Sequence, residues 1–250
     1  MKKHIPNVVT LLNLFSGCIA VLLAVNNNFI AAAGFVVLGI FFDFFDGLLA
    51  RKLQVQSELG IQLDSLADMI TSGLVPGIFM FKLLAMSSDS PDLISFSNEW
   101  NSVMHWNGFQ FAPIALLGFF ITMASAYRLA KFNIDQDQQS YFKGLPTPAN
   151  TLLIISLPLI MEFQNNDLIN SIILNSWFLI ILTLVSSWLL VSSIKLFALK
   201  FKDWSFENNA MRYIFIILCL VLLIVLQFAA IPLIILVYLL LSLFSQSSIS

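Results

Sequence analysis

The sequence predicts an all-α integral membrane protein. Three observations carry that expectation. Of 250 residues, 59% are hydrophobic and only 10% are charged, against about 25% charged in a soluble globular chain; mean hydropathy is +0.90. The apolar residues gather into runs long enough to cross a bilayer as helices, which takes roughly 20 residues. If the N-terminus is cytoplasmic, 11 of the 12 lysines and arginines fall on the inner side. This composition excludes disulfide scaffolds, disordered chains and cytosolic enzymes. A net charge of −2 without a basic arm speaks against a nucleic-acid partner, and the period-2 alternation of a membrane barrel is absent.

Eight candidate spans follow in order. The first, 8–26, lies behind Lys2, Lys3 and Pro6. Its apolar run is longer than the roughly 7–15 residues of a signal-peptide core, so it reads as a retained span. The second, 29–50, ends at Arg51-Lys52, and the third covers 60–86. The fourth, 111–131, ends among Arg128 and Lys131. The fifth, 149–163, is short and follows Pro146 and Pro148, and the sixth covers 173–195. The last two, 211–228 and 230–246, are divided by Ala229-Ala230-Ile231-Pro232, which leaves room only for a tight turn. Lys2, Lys3, Arg51, Lys52, Arg128, Lys131, Lys143, Lys195, Lys200, Lys202 and Arg212 then lie inside, with Lys82 left over. The outer loops, 87–110 and 164–172, hold Asp89, Asp92, Glu99 and Asp167 and no basic residue. The expected placement is multi-pass in the cell (inner) membrane with both termini cytoplasmic. Cys18 and Cys219 read as small buried hydrophobes.

Four aspartates break the apolar pattern. Asp43 and Asp46 stand i, i+3 near the inner end of the second span, with Gly47, Ala50 and Arg51 following. Gly60, Asp64 and Asp68 are successive i+4 steps at the mouth of the third. A carboxylate inside a span costs up to roughly 2.5–3.5 kcal/mol at mid-membrane, so four together require compensation. Placed on facing ends of two antiparallel helices they would repel one another unless cations sat between them. All-oxygen ligands suit Mg²⁺ or Mn²⁺, with Ca²⁺ possible, and four carboxylates neutralise two divalent ions. Taken singly, each Asp also reads as a proton-relay group and each small residue as helix packing.

The pattern Asp43-x2-Asp46-Gly47-x2-Ala50-Arg51-x8-Gly60-x3-Asp64-x3-Asp68 resembles the complete signature of the CDP-alcohol phosphotransferases, membrane enzymes that move a phosphatidyl or similar group from a CDP-linked donor to an alcohol and release CMP. The resemblance implies a six-helix core around a cytoplasm-facing polar cavity, with about two extra C-terminal spans, and a homodimer. The core would occupy residues 1–200 and the appended transmembrane hairpin 201–250. It implies Asp43, Asp46, Asp64 and Asp68 as metal ligands, Asp68 doubling as general base. Asn7, Thr10, Gly47, Ala50, Arg51, Ser57 and Gly60 are implied as the CDP-diacylglycerol site. Pro6-Asn7 reads equally as an ordinary start of the first span.

Three further segments, 7–17, 125–133 and 142–150, resemble the membrane-bound phosphatidylserine synthases within that family, which implies L-serine as acceptor. Arg128 offers a planar fork for the serine carboxylate and Lys143 a point charge. Both have plainer readings, Arg128 as an interface-seeking side chain and Lys143, like Lys131, as a topology marker. The alternatives are another acceptor on the same scaffold, glycerol 3-phosphate or inositol, and a cation-coupled secondary transporter. The transporter would predict inverted repeats, and no repeat is visible.

Overall fold

The computed structural model describes residues 4–88, 113–134, 142–196 and 206–246. Its helices are α1 (Ile5–Val25), α2 (Phe29–Lys52), α3 (Glu58–Asp68), α4 (Val75–Ser87), α5 (Phe119–Ile134), α6 (Thr147–Gln164), α7 (Asp167–Ile173), α8 (Ser176–Val191), α9 (Phe206–Leu226) and α10 (Ala230–Gln246). Short 3-10 turns precede α5 and α10, and a π-helical segment, Met69–Leu74, joins α3 to α4. The only extended pairing among the described residues is two residues long, Phe142–Lys143 (β1) against Lys195–Leu196 (β2).

Helix α1 shows how the chain packs. Its buried face is Pro6, Thr10, Asn13, Ser16, Gly17, Ala20 and Ala24, small or polar, while Val8, Leu11, Phe15 and Leu22 point outward. In lipid, apolar side chains gain nothing by hiding from the solvent, and small residues let helices approach closely. The same logic buries Ala32, Ala33, Val36 and Gly39 on α2 and exposes Phe41 and Phe44. Asn28 caps α2 through Ala31 N–H at 3.2 Å, and Asn27, at φ 60°, turns the chain from α1 into α2.

The run Glu58–Ser87 is the central helix, with 72% of its apolar window buried. At its middle the π-segment widens the turn so that Thr71, Ser72 and Gly73 face protein on every side. Gly17 and Gly39 both press on Thr71; at Gly39 a methyl group would sit 2.7 Å from Thr71 Cγ2 and 2.9 Å from Asn13 Oδ1. Across the other side, the Thr122 hydroxyl donates to Gly73 O at 3.1 Å and Thr151 to Ser72 O at 2.9 Å, so α5 and α6 are both tied to the π-segment.

By length and composition, five helical runs among the described residues can cross a membrane, or six if α7 and α8, bent by 59° at Leu174–Asn175, count as one. The protein is therefore multi-pass, with fewer qualifying runs than the eight expected. Helix α6, with Asn150, Glu162 and two prolines, falls short on apolarity; it is buried on most sides and has little lipid to meet. The last two expected spans are α9 and α10, which the 3-10 turn Gln227–Ala229 joins into one continuous helical run, Tyr213–Ser242, that folds back on itself. Phe215 and Tyr238 would be about 35 Å apart along a straight helix at roughly 1.5 Å per residue, but their rings lie 5.9 Å apart. The reversal sits at Gln227, φ 48°, slightly earlier than the Ala229–Pro232 turn expected. Of the loop expected at 87–110, residues 89–110 lie outside the described residues, as do Lys2, Lys3, Lys200 and Lys202.

Candidate active site

The i, i+3 and i, i+4 spacings bring the acids together. One carboxylate oxygen each from Asp43, Asp64 and Asp68 lies within 4.8 Å of the others. Asp46, only 5% exposed, stands beside Asp64 and faces Thr10. Asp46 Oδ2 and Asp64 Oδ1 are buried without a hydrogen-bond partner. Buried anionic oxygens that the chain gives no donor are expensive unless something else pairs them. Convergent all-oxygen ligands with unfilled lone pairs are what a hard divalent cation requires, so these residues fit the implied metal.

Two residues not singled out from the sequence hold the cluster. Asn13 Nδ2 donates to Asp68 Oδ1 at 3.2 Å, and the Thr71 hydroxyl donates to Asn13 Oδ1 at 2.8 Å. Asn13 thus spends its donor on the carboxylate because its acceptor is already engaged. A signal was present: Asn7, Thr10 and Asn13 recur at i+3 on an otherwise apolar span. On the far side Ser65 and Asn133 exchange hydrogen bonds and tie α3 to α5.

The implied donor residues divide into two groups. Asn7, Ser57 and Gly60 meet at a cleft also lined by His4, Val55, Gln56 and Leu59. There the Ser57 hydroxyl caps α3 by accepting from Gly60 N–H at 3.1 Å, and a methyl at Gly60 would sit 3.3 Å from Ser57 Oγ and 3.4 Å from Asn7 Oδ1. The Gly47 face is open except for Arg51, whose Nε donates to Gly47 O at 3.0 Å while its guanidinium is exposed. Ala50 closes the end of α2, its carbonyl accepting from Val55 N–H at 3.0 Å. The Thr10 hydroxyl donates to Pro6 O at 3.1 Å.

Arg128 reaches in from α5. It lies close enough to Asp68 for their charges to interact, and its Nη1 donates to Thr147 Oγ1 at 3.4 Å. A small recess beside it is lined by Tyr127, Lys131, Phe132, Lys143 and the end of α8. Lys143 is brought there by β1 and by Gly144. Gly144 has φ +73°, and a side chain on it would meet the carbonyls of Leu189, Leu190 and Ser192 at 2.8–2.9 Å. Gly144 and Leu145 N–H donate to Ile194 O and Leu189 O, both at 2.9 Å, fixing the segment before α6. Arg128, Lys131 and Lys143 therefore share one recess, which their sequence positions alone did not establish.

Fold and site together define a multi-pass, all-helical membrane protein with a partly buried carboxylate cluster where two of its helices meet. A profile for CDP-alcohol phosphatidyltransferases matches residues 3–188, and the chain belongs to that family of transferases. It is similar to a CDP-diacylglycerol–serine O-phosphatidyltransferase of Bacillus subtilis, 29% identical over 82% of this chain and 96% of the relative. A protein of the same name from Methanocaldococcus jannaschii is 29% identical over 76% of this chain and 72% of the relative. One from Saccharomyces cerevisiae is 30% identical over 62% of this chain and 53% of its own length.

Proposed function

We propose that the protein transfers a phosphatidyl group from CDP-diacylglycerol to L-serine, giving phosphatidylserine and CMP. The observation that carries the reading is the arrangement of Arg128, which stands between Asp68 and a cationic recess and can hold a carboxylated acceptor with its hydroxyl toward the acids. The names of the three relatives support the same acceptor.

In this reading Asp43, Asp46, Asp64 and Asp68 hold one or two divalent ions, Mg²⁺ or Mn²⁺, whose charge offsets that of the pyrophosphate and the departing CMP. Asn7, Thr10, Gly47, Ala50, Arg51, Ser57 and Gly60 place the CDP moiety, and Arg128 and Lys143 orient serine. The serine hydroxyl oxygen forms a bond to the phosphorus bearing the diacylglycerol, the bond from that phosphorus to CMP breaks, and the hydroxyl proton passes to Asp68. Asn13 keeps the receiving oxygen aimed. An aspartate is a weak base, so most of the rate comes from positioning and fixed charge. The lipid tails stay in the bilayer while the headgroup reacts at its edge. The active site and both termini face the cytoplasm, residues 1–200 form the catalytic core with 201–250 appended, and the protein works as a homodimer.

The gathering of Arg128, Lys131 and Lys143 also favours a phosphorylated acceptor such as glycerol 3-phosphate. One assay separates the two: purified protein with CDP-diacylglycerol, Mg²⁺ or Mn²⁺ and a panel of alcohols, reading CMP release. Serine alone should support turnover; release with glycerol 3-phosphate and none with serine would replace the acceptor and keep the chemistry.

A further inference from the structure

One layer deeper than the Arg128–Thr147 contact, three elements that pack on one another carry unsatisfied polar groups. Asn150, wholly buried on α6 one turn beyond Thr147, has neither its amide donor nor its acceptor paired. Ser125, wholly buried on α5 one turn before Arg128, has an unpaired hydroxyl, as does Ser72 of the π-segment, and Arg128 Nε is unpaired too. Packing brings the three elements together. Thr151, next to Asn150, donates to Ser72 O at 2.9 Å, and a methyl at Gly73 would sit 3.2 Å from Ser125 Cβ.

Buried polar groups are normally paired, and a cluster that the chain itself leaves unpaired calls for partners from outside it. The pairing sets the chemistry. A carboxamide presents one acceptor and two donors in a plane, which suits a group carrying an ammonium and a carboxylate on one carbon. We infer that Asn150 is a specificity-determining residue for the acceptor, its Oδ1 accepting from the α-ammonium and its Nδ2 donating to the α-carboxylate that Arg128 also engages. The inference rests on the amino-acid reading of the acceptor. Arg128 and Lys143 would serve any anionic alcohol, whereas Asn150 selects an amino acid among them.

Two variants test it, Asn150→Leu and Asn150→Asp, assayed for CMP release in detergent with Mn²⁺, CDP-diacylglycerol and either serine or serinol, which keeps the ammonium and lacks the carboxylate. Asn150→Leu should raise the serine KM at least tenfold and leave the KM for CDP-diacylglycerol within twofold. Asn150→Asp retains the acceptor and removes the donor, so the ratio of kcat/KM for serine to that for serinol should fall at least tenfold. A residue that only supports the fold lowers both acceptors alike; an unchanged ratio in Asn150→Asp, with wild type active on serine, overturns the inference alone. No CMP release from serine by the wild type overturns the acceptor reading and the inference with it.

Discussion

Replacing Asn13 by alanine tests the site without touching a carboxylate. The side chain makes two bonds, donating to Asp68 at 3.2 Å and accepting from Thr71 at 2.8 Å. Thr71 keeps a second acceptor, Asn13 O at 3.2 Å, which the substitution leaves in place, so Thr71 is not orphaned and the fold loses little. Asp68 loses a bond to a charged oxygen, of about 1.5–3 kcal/mol. If Asp68 must stay aimed during proton transfer, kcat/KM falls roughly 10–150-fold, because each 1.4 kcal/mol is about tenfold. Thr71→Val removes only the neutral bond orienting Asn13, about 0.5–1.5 kcal/mol, and should cost roughly 2–13-fold. The double variant should be no worse than Asn13→Ala, since Thr71 acts through Asn13. The assay is initial-rate CMP release at saturating divalent metal, with thermal unfolding in detergent as the control for folding. An Asn13→Ala enzyme within twofold of wild type, or fully additive losses, would refute the relay from Thr71 to Asp68.

Further outcomes follow from the same geometry. Asp43→Asn, Asp46→Asn or Asp64→Asn should abolish CMP release in inserted protein and remove the rise in melting temperature that Mg²⁺ or Mn²⁺ gives the wild type; a chelator-insensitive, fully active Asp64→Asn would contradict the metal site. Gly144→Ala forces a side chain onto a positive φ and into three carbonyls. Overpacking of that kind costs about 1–3 kcal/mol, so the variant should unfold at lower temperature and bind the acceptor less well, whereas Ser193→Ala on the exposed surface nearby should do neither. Arg128→Lys keeps the charge and loses the fork, so it should weaken serine use roughly 10–150-fold and CDP-diacylglycerol binding little; the reverse would assign Arg128 to the donor. Cysteines introduced at 89–110 should be labelled from outside intact cells and those at 135–141 should not, and the opposite pattern would invert the topology.

Much of this was legible in the sequence because it depends on local repeat. Helical spacing puts Asp43 and Asp46 on one face, and Gly60, Asp64 and Asp68 on another; a carboxylate in an apolar span is conspicuous wherever the chain goes. Hydropathy marks most spans for the same reason, and it placed the start of α10 at Ala230 and the end of α9 within two residues, while α6, packed largely against protein, carries a weaker apolar signal. Contacts between distant segments were not legible. Asn13 and Thr71 are 58 positions apart and look unremarkable until Gly17 and Gly39 let α1 and α2 close on the π-segment. The widened turn is a property of backbone packing with no residue type of its own. Arg128 and Lys143 were legible as candidates for an acceptor carboxylate, but that they share a recess with Lys131 follows only from Gly144 and the short β1–β2 pairing, which draw Lys143 there. The sequence by itself determined which groups are candidates to carry chemistry, since that is set by residue type and helical period. Only the tertiary structure decided which of them share a space, because close approach between helices depends on small residues whose partners lie elsewhere in the chain.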